Sequence, residues 1–369
     1  MSIKIAFSTN LDVDKNVTEI VSGLKSSDPR MIIFFSSVKV DPYILNAKLK
    51  SLFPQAVIIG CTTAGEIVSG KMLKGSVVAM GIGDDIIDDI SIGIVEEIKE
   101  QTGVSQAFSS FEKHFGISMA EMDINSHVGL ILADGLSGAE ERLMDTIGDL
   151  TDITFIGGSA GDDLEFNRTL VFADGQVYTN ASVLAIMKLK KGFDIIKTQS
   201  FNPTKKILKA TKVDELTRTV HEFNNEPAII AYAKALGIEA GNAAEQFMKH
   251  PLGLISIDGQ PFVRSPQQVK GNSIVFYCNI KEGMELSILD STDIIANTKK
   301  DIDEKIKSFG PISGMINFNC ILRTLELEQK NLTRQYGELF SSIPTIGFST
   351  YGEEYIGHIN QTATILVLK

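Results

Sequence analysis

The sequence predicts an α/β protein in which mixed sheets are built from repeated strand-helix-strand-turn-strand units and the chain divides into two domains. Three observations carry this reading: a stretch that recurs, an order of elements that recurs with it, and a length of 369 residues, too great for one ordinary core. The stretch "LFPQAVIIGCTTAGEI" (52 to 67) returns without a gap as "LFSSIPTIGFSTYGEE" (339 to 354), and "FIGGSAGDD" (155 to 163) is a shorter version ending on aspartate. Such self-similarity is the signature of a duplicated supersecondary unit.

The elements around each copy follow one order. In the first, "MIIFFSSV" (31 to 38) reads as a buried strand, "PYILNAKLKSLF" (42 to 53) as an amphipathic helix, "AVIIG" (56 to 60) as a strand entering the turn and "GSVVAMGIG" (75 to 83) as a returning strand. In the second, "HVGLILAD" (127 to 134), "GAEERLMDTIGDL" (138 to 150), "ITFIGG" (153 to 158) and "ASVLAIMKL" (181 to 189) take the same places. In the third they are "GMINFNC" (314 to 320), a long helical stretch through "TLELEQKNLTRQYGEL", "PTIGFST" (344 to 350) and "ATILVLK" (363 to 369).

Between the second and third copies, from about 200 to 312, the pattern changes. Helices are expected over 226 to 237 and 243 to 250, and hairpin strands over 252 to 266 and 271 to 289, with Asp258-Gly259 as a turn. Breaks in the apolar pattern at 191 to 205 place the expected domains at 1–195 and 196–369.

Composition excludes several classes. Hydrophobic residues at 43% and charged residues at 22% describe a chain that folds throughout. Apolar runs are strand-sized, well short of the roughly 18 residues that span a bilayer, and no signal-peptide stretch follows Met1. A net charge of -11 without long basic runs argues against nucleic acid or an anionic membrane as partner. Cys61, Cys278 and Cys320, odd in number and far apart, fit a reducing cytoplasm.

A phosphate-binding Walker loop needs Lys and Ser or Thr after its last glycine, where this chain has Glu66, Asp162 and Glu353. "GGSAG" (157 to 161) matches a nucleophile elbow around Ser159, but that motif requires a helix directly afterwards and "DDLEFNRTLVFADG" reads as loop and strand. Two readings stay open for all three turns. Their glycines, hydroxyls and acids either close tight turns or rim a small-ligand pocket through Thr63, Glu66, Thr350, Tyr351 and Glu353.

No two of the five histidines lie at metal-ligand spacing on one helix or turn, which argues against a closed zinc site. His250, after Phe247-Met248 and before Pro251-Leu252-Gly253, reads either as a helix-terminal histidine or as the axial iron ligand of a b-type haem in an apolar pocket. Arg264 and Arg323, at strand ends, are candidates to clamp a ligand carboxylate or a haem propionate.

In the order "IIGCTTAGEI", "FIGGSAGDD", "HPLGL", "FNCILR" and "GFSTYGEE", the sequence resembles the FIST family of intracellular signal-transduction sensor domains, with N-terminal and C-terminal halves. The resemblance implies a non-enzymatic, cytoplasmic small-ligand sensor, with amino acids among the ligands proposed for the family. "FNCILRTLE" with "GFSTYGEEY" and "HINQT" is further similar to stand-alone bacterial FIST proteins that bind haem, sense nitric oxide and regulate a histidine kinase, the NosP-like group. The expected partners are therefore a sensor histidine kinase or other signalling protein and a small-molecule or gas ligand. A homodimer is compatible with this reading. The alternatives are a sensor for an amino acid or similar polar metabolite, and a serine hydrolase using Ser159.

Overall fold

A computed structural model describes residues 3–25, 28–100, 103–256 and 259–369. The chain forms two compact units. One comprises Met1–Lys197, Lys299–His358 and Ala363–Lys369, the other Thr198–Thr298 and Ile359–Thr362.

The first repeat runs β1 (Ile3–Ser8), α1 (Val13–Leu24), β2 (Met31–Ser36), α2 (Pro42–Leu52), β3 (Val57–Thr62), a hairpin of β4 (Glu66–Val68) and β5 (Lys71–Leu73), and β6 (Val77–Ile82). Local chemistry sets these boundaries. Asp41 caps α2 by accepting from the amides of Tyr43 and Ile44, and Pro42 occupies the first turn, where its missing N–H costs nothing. The second repeat copies the order: β7 (Ile87–Glu96), α3 (Val104–Phe115), β8 (His127–Ala133), α4 (Glu140–Leu150), β9 (Phe155–Ser159), a hairpin of β10 (Val171–Ala173) and β11 (Gln176–Tyr178), and β12 (Ala181–Leu189).

The third repeat opens with β13 (Phe193–Gln199) and is then interrupted. Inserted here are β14 (Phe201–Asp214), β15 (Thr219–Phe223), β16 (Glu226–Pro227), α5 (Ala228–Leu236), β17 (Leu252–Ile255), β18 (Pro261–Arg264), β19 (Pro266–Lys270), β20 (Ser273–Phe276) and β21 (Glu285–Ser291). The repeat resumes with α6 (Ile294–Phe309), β22 (Gly314–Cys320), α7 (Ile321–Gln329), α8 (Thr333–Glu338), β23 (Thr345–Thr350), β24 (Glu353–Tyr355), β25 (His358–Ile359) and β26 (Thr362–Leu368). Thus α6 precedes β22 as α1 precedes β2 and α3 precedes β8.

Each repeat supplies a parallel pair, β2·β3, β8·β9 or β22·β23, and lends its hairpin to another repeat. The order is β1-β6-β2-β3-β10-β11 in one sheet, β7-β12-β8-β9-β24-β25 in the second and β13-β26-β22-β23-β4-β5 in the third. The second repeat therefore completes the first sheet, the third completes the second, and the first completes the third. The exchange is cyclic.

Burial follows from this architecture. Helices α1 and α2 pack Val17, Ile20, Leu24, Leu45 and Leu49 on one face of the first sheet, against Ile32, Phe34 and Ile58. The other face joins a core shared by all three repeats, in which Phe35 lies 4.5 Å from Phe348 and 6.3 Å from Phe318 between ring centroids. With both faces covered, β2, β8 and β22 are buried at every position, and β2 and β8 read as nearly continuous apolar runs while β22 also buries Asn317 and Asn319. In the second strand of each pair, Gly60, Gly157 and Gly347 sit opposite Phe34, Ile131 and Asn317. A Cβ at these glycines would lie 2.3, 1.7 and 2.1 Å from the partner's carbonyl oxygen, so only glycine fits.

The inserted unit holds an antiparallel sheet in the order β18-β17-β21-β14-β15-β20-β19, with β16 beside β15. Its core gathers Phe223, Tyr232, Phe247, Phe276 and Ile288. The helix expected over 243 to 250 is instead two short 3-10 turns, Ala240–Asn242 and Ala244–Gln246, because Pro251 disfavours helical backbone at His250. The long helical stretch of the third repeat breaks into α7 and α8 at Asn331, whose φ of 57° asparagine tolerates. The expected Asp258-Gly259 turn includes Asp258, which lies outside the described residues. Among those residues no helix is long and apolar enough to cross a membrane.

Candidate functional site

The three turns meet. Gly161 N donates to Thr62 O at 2.9 Å and Asp163 N to Thr63 O at 2.9 Å. Ser159 N donates to Gly352 O at 2.8 Å and Tyr351 N to Ser159 O at 3.1 Å, while Ala64 N reaches Ser349 O at 3.2 Å and Ser349 N reaches Gly65 O at 2.7 Å. The backbone polar groups freed where each parallel pair ends are thus paired around a closed ring.

Four of the residues read as a pocket rim lie inside this ring. Thr63, Glu66, Thr350 and Glu353 are buried. Glu66 accepts from the hydroxyl of Thr63 and, at 3.0 and 2.5 Å, from the amide and hydroxyl of Ser76. Burial pushes its carboxyl up to about 7, against the hydrogen bonds from Ser76 and Thr63 that favour the ionised form. Thr350 Oγ1 lies 2.8 Å from Ser159 O and 2.5 Å from Gly352 O.

Ser159 is fully buried and its hydroxyl donates to Glu354 Oε1 at 2.7 Å. The imidazole of His358 stands 3.5 Å from that same oxygen through Nδ1, so the carboxylate, not the histidine, receives the serine's hydrogen bond. The segment after Gly161 is turn and irregular chain up to β10. The elbow that an activated serine needs is not formed. Burial works against the charged imidazole, but Glu141, the hydrogen bond with Glu354, and the charges of Glu140 and Glu354 raise His358 to about 9. Burial also raises Glu354, against the hydrogen bonds from His358 and Ser159.

The second turn differs from its siblings by leading into a nine-residue loop, 162–170, before its hairpin. Asp162, almost wholly buried, anchors this loop. Its Oδ1 accepts from Phe166 N at 3.0 Å and Tyr351 Oη at 2.5 Å, and its Oδ2 from Asn167 N at 2.6 Å and Arg168 N at 2.9 Å. Tyr351 Oη also accepts from Leu164 N at 3.0 Å, and its ring stacks on Phe166 at 5.2 Å. Burial, then the Asp162 contact, raises the phenol's pKa and keeps it a donor. Asp163, Leu164 and Phe166 adopt φ of 55°, 68° and 51°, a costly backbone for non-glycine residues that these contacts hold in place. Tyr351→Phe removes the hydroxyl from this junction and is expected to cost about 1–3 kcal/mol. Faster proteolysis within 162–168 than in the parent would register it; unchanged cleavage would mean that the stacked ring alone suffices.

Beside the loop lies a cavity of about 330 Å³, lined among others by Lys39, Pro42, Asp162, Glu165, Asn167 and Arg168. It sits beyond the carboxyl ends of β2 and β3, where open α/β sheets commonly bind ligands. Lys39, Glu165, Asn167 and Arg168 were not foreseen from sequence. The available signal was the loop itself, since no comparable run follows the other two turns.

Residues 30–226 match the model of the FIST N domain and residues 228–355 that of the FIST C domain. The chain belongs to the FIST family. FIST domains are signal-transduction sensor domains that bind small ligands. An uncharacterized protein of Methanocaldococcus jannaschii, MJ1623, is 26% identical over 351 residues, which is 88% of this chain and 66% of the relative. This chain thus spans just under two thirds of that relative's length. The crystal structure of a cyanuric acid hydrolase from A. caulinodans aligns over 100% of this chain and 98% of its own, with 10% identity and a TM-score of 0.34, a likeness too slight to bear on this FIST protein's chemistry.

The remaining expected site residues of this FIST chain divide between its units. His250 lies in the inserted unit, where its Nδ1 is 2.9 Å from Asp290 Oδ1. Its surroundings thus include a carboxylate where an apolar pocket was expected. Arg264, in the same unit, pairs with Leu252 across β17 and β18. Arg323 belongs to the other unit, is almost wholly buried, and donates from Nε to Asn319 Oδ1 at 3.0 Å. Asn319 Oδ1 also accepts from Tyr336 Oη at 2.9 Å. No group of three or more His, Cys, Asp or Glu able to hold a metal ion occurs among the described residues.

Proposed function

We propose that this FIST protein senses a small zwitterionic metabolite of the amino-acid class, bound in the cavity between residues 38–42 and the 162–170 loop, and reports to a separate histidine kinase. The supporting observation is the balance of charge around the cavity. Both Asp162 oxygens already accept two hydrogen bonds each, so this carboxylate holds the loop. The ionic groups left for a ligand are the cations Lys39 and Arg168 and the acid Glu165. Two cations suit a carboxylate and the acid an ammonium. A ligand that bridges residues 38–42 and the loop would favour its ordered form, and such a shift is what a partner can read.

Titration calorimetry with a panel of free amino acids tests this. Binding by the parent is expected, with Arg168→Ala weakening it about tenfold or more, the loss of one charge-assisted contact. Absence of binding across the panel would sink the proposal.

A second reading rests on His250. Asp290 fixes its Nδ1, and a carboxylate on one nitrogen is how a metal-ligating imidazole is usually oriented. Here His250 would ligate a b-type haem that binds nitric oxide, with Arg264 toward a propionate. A Soret band in protein reconstituted with haem, lost in His250→Ala, would support it; a colourless parent protein would remove it.

A further inference from the structure

A smaller cavity of about 140 Å³ also borders this loop, and Asn167 and Arg168 line both. Its charged and hydroxyl-bearing lining includes Lys99, Asp134, Ser137, Arg168, Thr169 and Thr179. The only carboxylate among its lining residues is Asp134, and this group is spent on the fold. Its Oδ1 accepts from the hydroxyl of Thr169 and from Leu136 N at 3.0 Å, and its Oδ2 accepts from Asn180 N at 2.5 Å. The charges left for a ligand are therefore Lys99 and Arg168, both positive, beside the hydroxyls of Ser137 and Thr179.

We infer that this smaller cavity is an anion subsite, and that the ligand carries a second acidic group, a carboxylate or a phosphate, in addition to its amino-acid head. The inference rests on the amino-acid reading of the larger cavity. Arg168 is the shared element. Its backbone is tied to Asp162 at 2.9 Å, and its guanidinium lies 5.7 Å from the Tyr43 ring centroid. One arginine between the two spaces can serve both acidic ends of a single ligand, with Lys39 completing the first site and Lys99 the second. A space of about 140 Å³ has room for a carboxylate or a phosphate group.

Calorimetric titrations of the full chain with L-glutamate against L-glutamine, and with O-phospho-L-serine against L-serine, test this. In at least one pair the acidic member is expected to bind at least 10-fold more tightly, and the pair with the larger ratio identifies the acidic group. Lys99→Gln is expected to bring that ratio toward one. Equal affinities within both pairs, or a ratio that Lys99→Gln leaves unchanged, would overturn the anion subsite while leaving the larger cavity's reading intact, provided the neutral amino acids bind and Arg168→Ala weakens them. No binding by any of the four compounds would overturn both.

Discussion

His358→Leu is expected to cost about 3–5 kcal/mol of stability at pH 7, the usual penalty for removing one member of a buried ionic group. The leucine fills most of the ring's space but leaves the buried Glu354 without its His358 partner, near Glu140 and Glu141. For a unit of this size such a loss lowers the thermal midpoint by on the order of 10 °C. A melt followed by circular dichroism reads it, and a shift below about 2 °C would mean that the network carries little net charge. The parent's pH dependence provides a second check. The folded pKa of His358, about 9, lies above its ordinary value of 6.5, so its stabilising contribution is fully present below pH 6.5 and is lost as pH rises through 9. Stability of the parent should therefore fall across that window by about 3 kcal/mol, and His358→Leu should remove this decline.

Gly157→Ala is expected to destabilise the protein by about 3 kcal/mol or more, at the upper end of overpacking losses. The new methyl group would stand 1.7 Å from the carbonyl oxygen of Ile131, a backbone atom fixed in the parallel pair, so no rotamer change can relieve the contact. Gly148→Ala is the matched control. That glycine lies within α4 with nothing within 4 Å of the added Cβ, and alanine there should stabilise by up to about 1 kcal/mol through helix propensity. Soluble yield and thermal midpoint moving in opposite directions for the two variants is the expected result. Gly157→Ala melting with the parent would show that the strands separate easily at this point.

The repeated unit was legible because its turn segments are alike in sequence and two of its central strands, covered on both faces, carry apolar runs such as "MIIFF" and "VGLILA". The exchange of hairpins was not. Three residues such as Glu66–Val68 have no pattern that names a partner, and pairing with Ile346–Phe348 is decided by the sheets, not by the segment. The site shows the same division. The turn residues Thr63, Glu66, Thr350 and Glu353 stood out by type, yet their inward orientation depends on contacts made elsewhere, as with Ser76 for Glu66. His250 was expected in an apolar pocket because its chain neighbours are apolar, whereas the side chain facing it is Asp290, from 40 residues away.

The lending of hairpins between repeats also sets a timetable for synthesis. Val68 leaves the ribosome roughly 280 residues before its partner Ile346, an interval of about 15–55 s at ordinary elongation rates. The nascent chain meanwhile carries β4 and β5 without their host sheet, and β9 waits as long as its neighbour β24 has not yet been made. Open strand edges of this kind are sticky, so the growing polypeptide is most exposed to mispairing with its neighbours on a polysome until residues 345–355 arrive.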